Sequence, residues 1–448
     1  DSEITHGLKP PIVCSSYAAQ PLPPQAQGCP GKIHCDAGAC PVTPAQGRYF
    51  LVVETQKGKP SMRYRDSIFG QLLKPISRRW FEAAAERHGA NAYDKSFESW
   101  DHLVALIFAQ VSGVQSLRGL VTAWETNVHQ HYHLGVESFG RSTLSDANAR
   151  RPVALFAETF AMLAGLAGRL ARQEGNAMLR LIDATPIPLG KLVAWAKWNG
   201  RIRGLKMHVV YDPHADVPQR ITITPANVND IEEGKKVPIE AGCTYVMDKA
   251  YCDYRWWAAI SGAGAFFVTR QKSNAKSRST RNRHVRQTRG DGFAIIDDHE
   301  VKLTGKRHSK LAMPLRRIRV KRDTGGTLTL LTNDFDRPAV EIAALYKARW
   351  QIELLFRWIK QHLNIRKFLG NGDNAIRLQI VAAMIAYLLL RIAARESRMN
   401  IPDIRFAELV AANLFIRKPL ARIDKPPEVN PSHPRPTIGP GQMEFRYA

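Results

Sequence analysis

Three acidic residues, Asp183, Asp248 and Glu353, stand where they could do chemistry together. Asp183 follows the apolar run Met178–Ile182, and Asp248 follows Tyr245–Met247. An unpaired acid is costly to bury where an interior strand ends, yet strand ends are where α/β proteins hold ligands. Either aspartate alone reads as well as a turn or helix-capping residue. Glu353 lies in YKARWQIELLFRWIKQHL, Tyr346 to Leu363. That stretch lacks Gly and Pro and predicts one helix of about five turns. On its wheel Tyr346, Arg349, Glu353 and Lys360 fall within roughly 60° of one another. Ile352, Leu355, Phe356, Ile359 and Leu363 form a separate apolar stripe that would face a core. In isolation the polar row is a surface helix with an Arg349–Glu353 salt bridge, worth roughly 0.3–0.5 kcal/mol.

Three carboxylates in one cleft repel one another, and a pKa rises unless a divalent cation sits among them. Oxygen-only ligands favour Mg²⁺ or Mn²⁺ over zinc. Two such ions about 3.5–4 Å apart can activate a water or a 3′-hydroxyl and stabilise the departing oxygen of a phosphodiester. The composition supplies the matching substrate. The 448 residues carry 64 Lys+Arg against 40 Asp+Glu, a net charge of +24. A surplus of that size points to a polyanion, nucleic acid first. The bland alternative is a solvated basic surface without a partner.

Other classes fit less well. With 44% apolar residues the chain can bury a core and is not of the disordered class. Six cysteines imply no disulfide framework. Cys29, His34, Cys35 and Cys40 lack the paired short spacings of a structural zinc site. The run IVAAMIAYLLL, Ile380 to Leu390, is too short to span a bilayer and predicts a buried helix. With no signal peptide at the start, a cytoplasmic protein without membrane association is expected.

The elements that must position the acids follow in order. Residues 1–61, rich in Pro, Ala, Gly and Gln and without Met, read as a disordered or non-native extension, with Met62 as the expected start. Residues 62–135 predict a helical N-terminal DNA-binding domain. In it, SWDHLVALIFAQVSG with Ser99 as N-cap, a tight turn and SLRGLVTAWETN are compatible with a helix-turn-helix. Arg78, Arg79, Arg87, Lys95 and Arg118 could reach phosphates. The pattern then turns to strands: LRLIDATPIPL, KMHVVYDP and QRITITPAN. A short helical piece, VNDIEEGKKVPI, leads to the strand CTYVMDKAYC, the helix DYRWWAAISG and the strand AFFVTRQK. Three meandering strands followed by β-α-β is the order of a ribonuclease-H-like α/β core, assigned to residues 136–420. A β-rich insertion at about 273–335 opens with a basic loop, NAKSRSTRNRHVRQTRG, and contains FAIIDDHEVKL, LRRIRVKR and TLTLLTND. Helices from Asp373 to about Arg395 and from about Ile401 to Ile416 close the fold. Residues 421–448 read as a disordered tail.

The spacing Tyr346-x2-Arg349-x3-Glu353-x6-Lys360 resembles the Y-R-E-K signature of bacterial insertion-sequence transposases of the DDE type, the IS-four group. LIDATPIPL is similar to the family's first-Asp strand and MDKAYCDY to its D-K-G-Y motif, with Ala250 in place of Gly. ITPANVND is similar to the intervening G-N-V-H-D segment, with Asn229 in place of His. The stretch from SIFGQLLKPISRRWFE to SLRGL resembles the helical domain that precedes the core in many members, so the likeness covers roughly residues 66–400. The resemblance implies that Asp183, Asp248 and Glu353 are the catalytic and metal-binding triad, holding Mg²⁺ or Mn²⁺ as two ions. It implies that Tyr346, Arg349 and Lys360 grip phosphates at the cleaved end of double-stranded DNA, with Arg349 leaving the Glu353 carboxylate free for metal. It also implies cut-and-paste joining of 3′-OH ends to target DNA, a hairpin intermediate and a homodimeric synaptic complex. Asp230 and Lys206 read as a helix cap and a solvated cation. Trp256, Trp257 and Trp350 read as core residues that could alternatively stack on an extruded base. A ribonuclease-H-fold nuclease without strand transfer, or a DNA-binding protein with a dead core, would share much of this pattern.

Overall fold

The computed structural model describes Ile12–Ser15 and residues 66–426 except 93–95, 172–177, 191–192, 286–287, 305–312, 364 and 366. Met62, Lys95, the Cys29–Cys40 group and the tail beyond residue 426 lie outside the described residues.

Strand β1 (Ile12–Ser15) is followed by α1 (Ile68–Leu73), α2 (Arg78–Arg87), α3 (Ser99–Ser112), α4 (Leu117–Glu125), α5 (His131–Leu134) and α6 (Arg141–Arg150). Helix α3 begins after Glu98, whose backbone N–H is capped by Asp101, so Ser99 is already helical. Gly113 turns the chain with φ 72°, a left-handed conformation open to glycine, and α3 and α4 cross at 99°. That angle suits a helix-turn-helix. These helices share one core with the end of the chain: the Ile68 and Phe69 amides donate to Ile416 and Leu414.

The long α7 (Val153–Ala171) leads into the sheet, through β2 (Leu179–Pro188), β3 (Lys197–Trp198), β4 (Arg203–Asp212) and β5 (Val217–Pro225). Next come α8 (Asp230–Gly234), β6 (Thr244–Met247), α9 (Tyr254–Gly262) and β7 (Phe266–Arg270). The order β5-β4-β2-β6-β7 has antiparallel pairs up to β2, then parallel β2–β6 and β6–β7. This is the mixed sheet predicted for a ribonuclease-H-like core. Strands β4, β2, β6 and β7 are apolar on both faces. Leu181, Val209, Val246 and Val268 meet α7 and the C-terminal helices. Ile182, Val210, Met247 and Phe267 meet Trp256, Trp257 and Ile260 of α9.

The insertion extends the same sheet. It comprises β8 (Lys276–Asn282), β9 (Arg289–Gly290), β10 (Phe293–Thr304), β11 (Leu315–Arg322) and β12 (Thr327–Thr332), with β12 paired to β7. The basic segment predicted as a loop thus contains two strands. β8 has no apolar alternation because nearly all of it is exposed, and only its ladder to β10 makes it a strand.

Helices α10 (Ala339–Ala348), α11 (Trp350–His362), α12 (Asp373–Ser397) and α13 (Asp403–Ala412) complete the chain. Among the described residues, two single helices, α7 and α12, are long and apolar enough to cross a membrane by length and composition. Here α12 is the central core helix, buried without interruption from Leu378 to Leu390.

A buried ion pair ties the insertion to the segment that enters α10. Arg316 of β11 grips both Asp298 carboxylate oxygens at 2.7–3.1 Å and donates to the carbonyls of Asp334 (3.1 Å) and Arg337 (2.6 Å), just before α10. Removing one partner strands a buried charge. Asp298→Ala should therefore cost about 3–5 kcal/mol in urea unfolding, and Asp298→Leu with Arg316→Met much less.

Candidate active site

Strands β2 and β6 run parallel with Ile182 opposite Met247, which sets the next residues, Asp183 and Asp248, side by side on neighbouring strands. The strand spacing is about 4.8 Å. Asp248 does end its strand and opens a 3₁₀ turn, Lys249–Tyr251. Asp183 does not, contrary to the sequence reading. β2 continues to Pro188 against β4, and Asp183 marks where the parallel neighbour stops. The apolar run ends there because β2 leaves its doubly covered position, not because the strand ends.

The predicted single helix from Tyr346 to Leu363 is also corrected. It breaks at Arg349, the cap shared by α10 and α11. The Arg349 amide donates to the Tyr346 carbonyl, and the Arg349 carbonyl accepts from Ile352, both at 3.2 Å. This three-residue spacing is the tighter 3₁₀ turn. The apolar stripe holds nonetheless: Ile352, Leu355, Phe356, Ile359 and Leu363 are all buried.

Arg349 sits between two of the three acids. Its Nη1 donates to Asp183 Oδ2 at 2.9 Å and its Nη2 to Glu353 Oε1 at 2.6 Å. The expectation that Arg349 leaves Glu353 free is therefore not met in this structure. A guanidinium is a planar fork that can hold two carboxylates at once. Burial works against its charge, but Tyr346, Asp183 and Glu353 outweigh that and hold its pKa above the ordinary value. The Tyr346 hydroxyl is buried without a hydrogen-bond partner, and burial pushes its pKa up to about 12. Lys360 contacts the hydroxyl of Thr185, two residues beyond Asp183 on β2. All six sequence-predicted residues thus gather along one edge of the sheet.

Other predicted residues part company. Trp256 and Trp257 are core, at 5% and 0% exposure, whereas Trp350 is 51% exposed. Lys206 is not a solvated cation: its Nζ donates to Asp230 Oδ1 and to the Val228 carbonyl, each at 2.8 Å. Two neighbours escaped the sequence reading. Arg270, the last residue of β7, brings Nη1 to 4.0 Å from Asp248 Oδ1. Tyr251 buries its hydroxyl without a partner near Asp230, Asp183 and Asp248. Arg270 ends the third parallel strand, and that strand-end rule could have found it.

Among the described residues, no group of three Asp, Glu, His or Cys side chains is close enough to enclose a metal ion. A cation of the chain itself holds two of the acids. The donor set nevertheless suits a hard divalent ion: three carboxylates, of which Asp248 keeps a buried Oδ1 with no hydrogen bond.

A family model described as a transposase DDE domain matches residues 175–389. A second, described as a domain of unknown function, matches residues 64–137. A Sinorhizobium fredii protein, y4zB, whose name carries an inferred transposase assignment, is 63% identical over 308 residues, covering 69% of this chain and 86% of that one. The chain belongs to the DDE transposases. This transposase is also 28% identical over 261 residues to the "Probable transposase for insertion sequence element IS5377" of Geobacillus stearothermophilus, covering 57% of this chain and 68% of that one. A similarly assigned Synechocystis protein is 26% identical over 278 residues, covering 59% of this chain and 75% of that one. The span matched by the DDE model contains Asp183, Asp248 and Glu353. Membership makes the transposase an enzyme that cleaves DNA with a divalent metal.

Burial, with Asp248 and Glu353 adding to it against the Ala184 amide and Arg349, pushes the Asp183 carboxyl from 3.8 up to about 6. Between those values the folded chain holds a proton that the unfolded chain has lost. Metal-free stability therefore falls as pH rises from about 4 to 6, by about 3 kcal/mol. Urea midpoints across that window should fall more steeply in wild type than in Asp183→Asn, where this proton is absent. Were Asp183 to hold a metal, its carboxylate would have to be ionised, and Mn²⁺ affinity would drop about tenfold per pH unit below about 6.

Proposed function

We propose that this transposase cuts the ends of its insertion sequence with Asp183, Asp248 and Glu353 as the metal-holding acids, and joins the freed 3′-OH ends to target DNA. The observation that carries the reading is the adjacency of Asp183 and Asp248 on parallel strands, with Glu353 tied to the same point by Arg349. Two Mg²⁺ ions, or Mn²⁺, would supply activation of the attacking oxygen and charge on the departing one.

The chain's own residues have distinct tasks. The carboxylates hold the cations, and Asp183 must first lose its proton. Arg349 turns its fork from the acids to a phosphate, for which the same two parallel N–H donors are suited. Tyr346 stays protonated at neutral pH and can donate its unpaired hydroxyl hydrogen to a phosphate oxygen. Lys360 adds a point charge beside Thr185. In this reading the α1–α5 region contributes DNA binding and two protomers act on two DNA ends. Second-strand cleavage runs through a hairpin, and the enzyme works in the bacterial cytoplasm.

The test is incubation of the purified chain with a duplex carrying the element's terminus, a supercoiled target and Mg²⁺. Nicking followed by joined product is expected. Binding without cleavage would mean a dead core, and cleavage without joining a nuclease. Binding should also weaken steeply with salt, by roughly 0.9 log units per log unit of salt for each phosphate neutralised. A flat salt response would remove the reading altogether.

A further inference from the structure

The hairpin that joins β2 to β4 projects past the end of β6, on the side where Asp183 and Asp248 stand. From Asp183 to Asp212 it carries five Lys or Arg and no acid between those two residues. It is anchored firmly. Leu189, Val193 and Ala196 are buried, and Trp195 Nε1 donates to the Asn371 carbonyl at 2.9 Å. Its tip is a small hairpin in which β3 pairs with β4, Trp198 opposite Arg203. The Asn199 carboxamide oxygen closes the turn by accepting from the Arg201 and Ile202 amides at 3.0 and 2.9 Å. Gly200 takes φ 90° there, which favours glycine. On this fixed support Trp198 is 57% exposed, with Lys197, Arg201 and Arg203 exposed around it.

A tryptophan held rigidly in water leaves apolar area uncovered but gives up little conformational freedom when something stacks on it. Cations surround it and no acid intervenes, which favours a polyanion with flat apolar faces. We propose that this arm is a DNA-binding site in which Trp198 stacks on an unpaired base while Lys197, Arg201 and Arg203 hold the flanking phosphates. It rests on the DNA-cleaving reading of the acid cluster. Pro188 lies five residue steps along β2 from Asp183, and Trp198, across β4 from β2, lies one ladder step beyond. At about 3.3 Å per residue the arm meets the strand roughly 17–20 Å from the acids. That is about five to six nucleotides of stacked strand.

Full-length wild type, Trp198→Ala, Trp198→Phe and Arg201→Ala with Arg203→Ala are compared by fluorescence anisotropy. The probes are a duplex with a single-stranded tail and a fully paired duplex. Trp198→Ala should weaken binding about tenfold on the tailed probe and less than about twofold on the paired one. Trp198→Phe should keep most of the tailed-probe affinity. The double arginine variant should weaken both and flatten the salt slope by nearly two. Unchanged affinity of Trp198→Ala for the tailed probe, or equal losses on both probes, overturns the proposal and leaves the catalytic reading intact. A change of oligomeric state in Trp198→Ala by sedimentation overturns it in favour of a protein partner. Wild type that binds neither probe overturns the catalytic reading and this one with it.

Discussion

Glu353→Gln should reduce DNA cleavage at least about 10³-fold in Mg²⁺ while changing DNA affinity less than about threefold. The amide is nearly isosteric with the carboxylate, and its oxygen can still accept from Arg349 Nη2, which lies 2.6 Å from Glu353 Oε1. The helix break and the buried stripe beneath it should survive. What goes is the negative charge that a metal ligand needs. Asp183→Asn and Asp248→Asn should behave alike, because a site of three carboxylates acts as a unit and single losses cost nearly as much as combined ones. A single-turnover cleavage assay beside a filter-binding curve decides the matter. A variant that keeps more than about a tenth of the wild-type rate would remove that acid from the chemistry.

Arg349→Ala should show two opposite changes. The guanidinium engages Asp183 Oδ2 and Glu353 Oε1, so a metal held by these acids would have to displace it. Without it, the acids repel one another and Mn²⁺ affinity, read by titration calorimetry, should rise about tenfold. On DNA the same variant would lose the phosphate fork proposed for Arg349, and cleavage at saturating metal should fall about 100-fold. Arg349→Lys should recover part of the cleavage, since a point charge replaces the fork imperfectly. Mn²⁺ affinity that stays the same or weakens in Arg349→Ala would show that the guanidinium does not compete for the acids.

Much of this arrangement was legible in the chain. Strand order followed from apolar runs such as LRLIDATPIPL and KMHVVYDP, because a doubly covered sheet demands them. The apolar stripe Ile352–Leu363 fixed which face of the Glu353 helix points inward. Two of the failures depend on a partner distant in sequence. No Gly or Pro announces the break at Arg349. Its guanidinium meets Asp183, 166 residues away, and an i,i+4 rule sees only Glu353. β8 shows no period, since neither face is buried and pairing with β10 alone defines it. Strand β3 is two residues long, below any pattern, so Trp198 was not singled out. Trp350 was expected in the core, but it is the residue at which α11 restarts, and the break turns it outward.

The most direct test of the proposed metal-holding acids is Asp248→Cys, because Asp248 is not bonded to Arg349 and its Oδ1 has no hydrogen bond to lose. A thiolate binds softer ions in preference to Mg²⁺. Wild type should cleave element ends in Mg²⁺ or Mn²⁺ and not in chelator. Asp248→Cys should be inert in Mg²⁺ and recover a measurable rate in Mn²⁺. Cleavage by wild type in chelator, or wild-type rates of Asp248→Cys in Mg²⁺, would contradict the assignment.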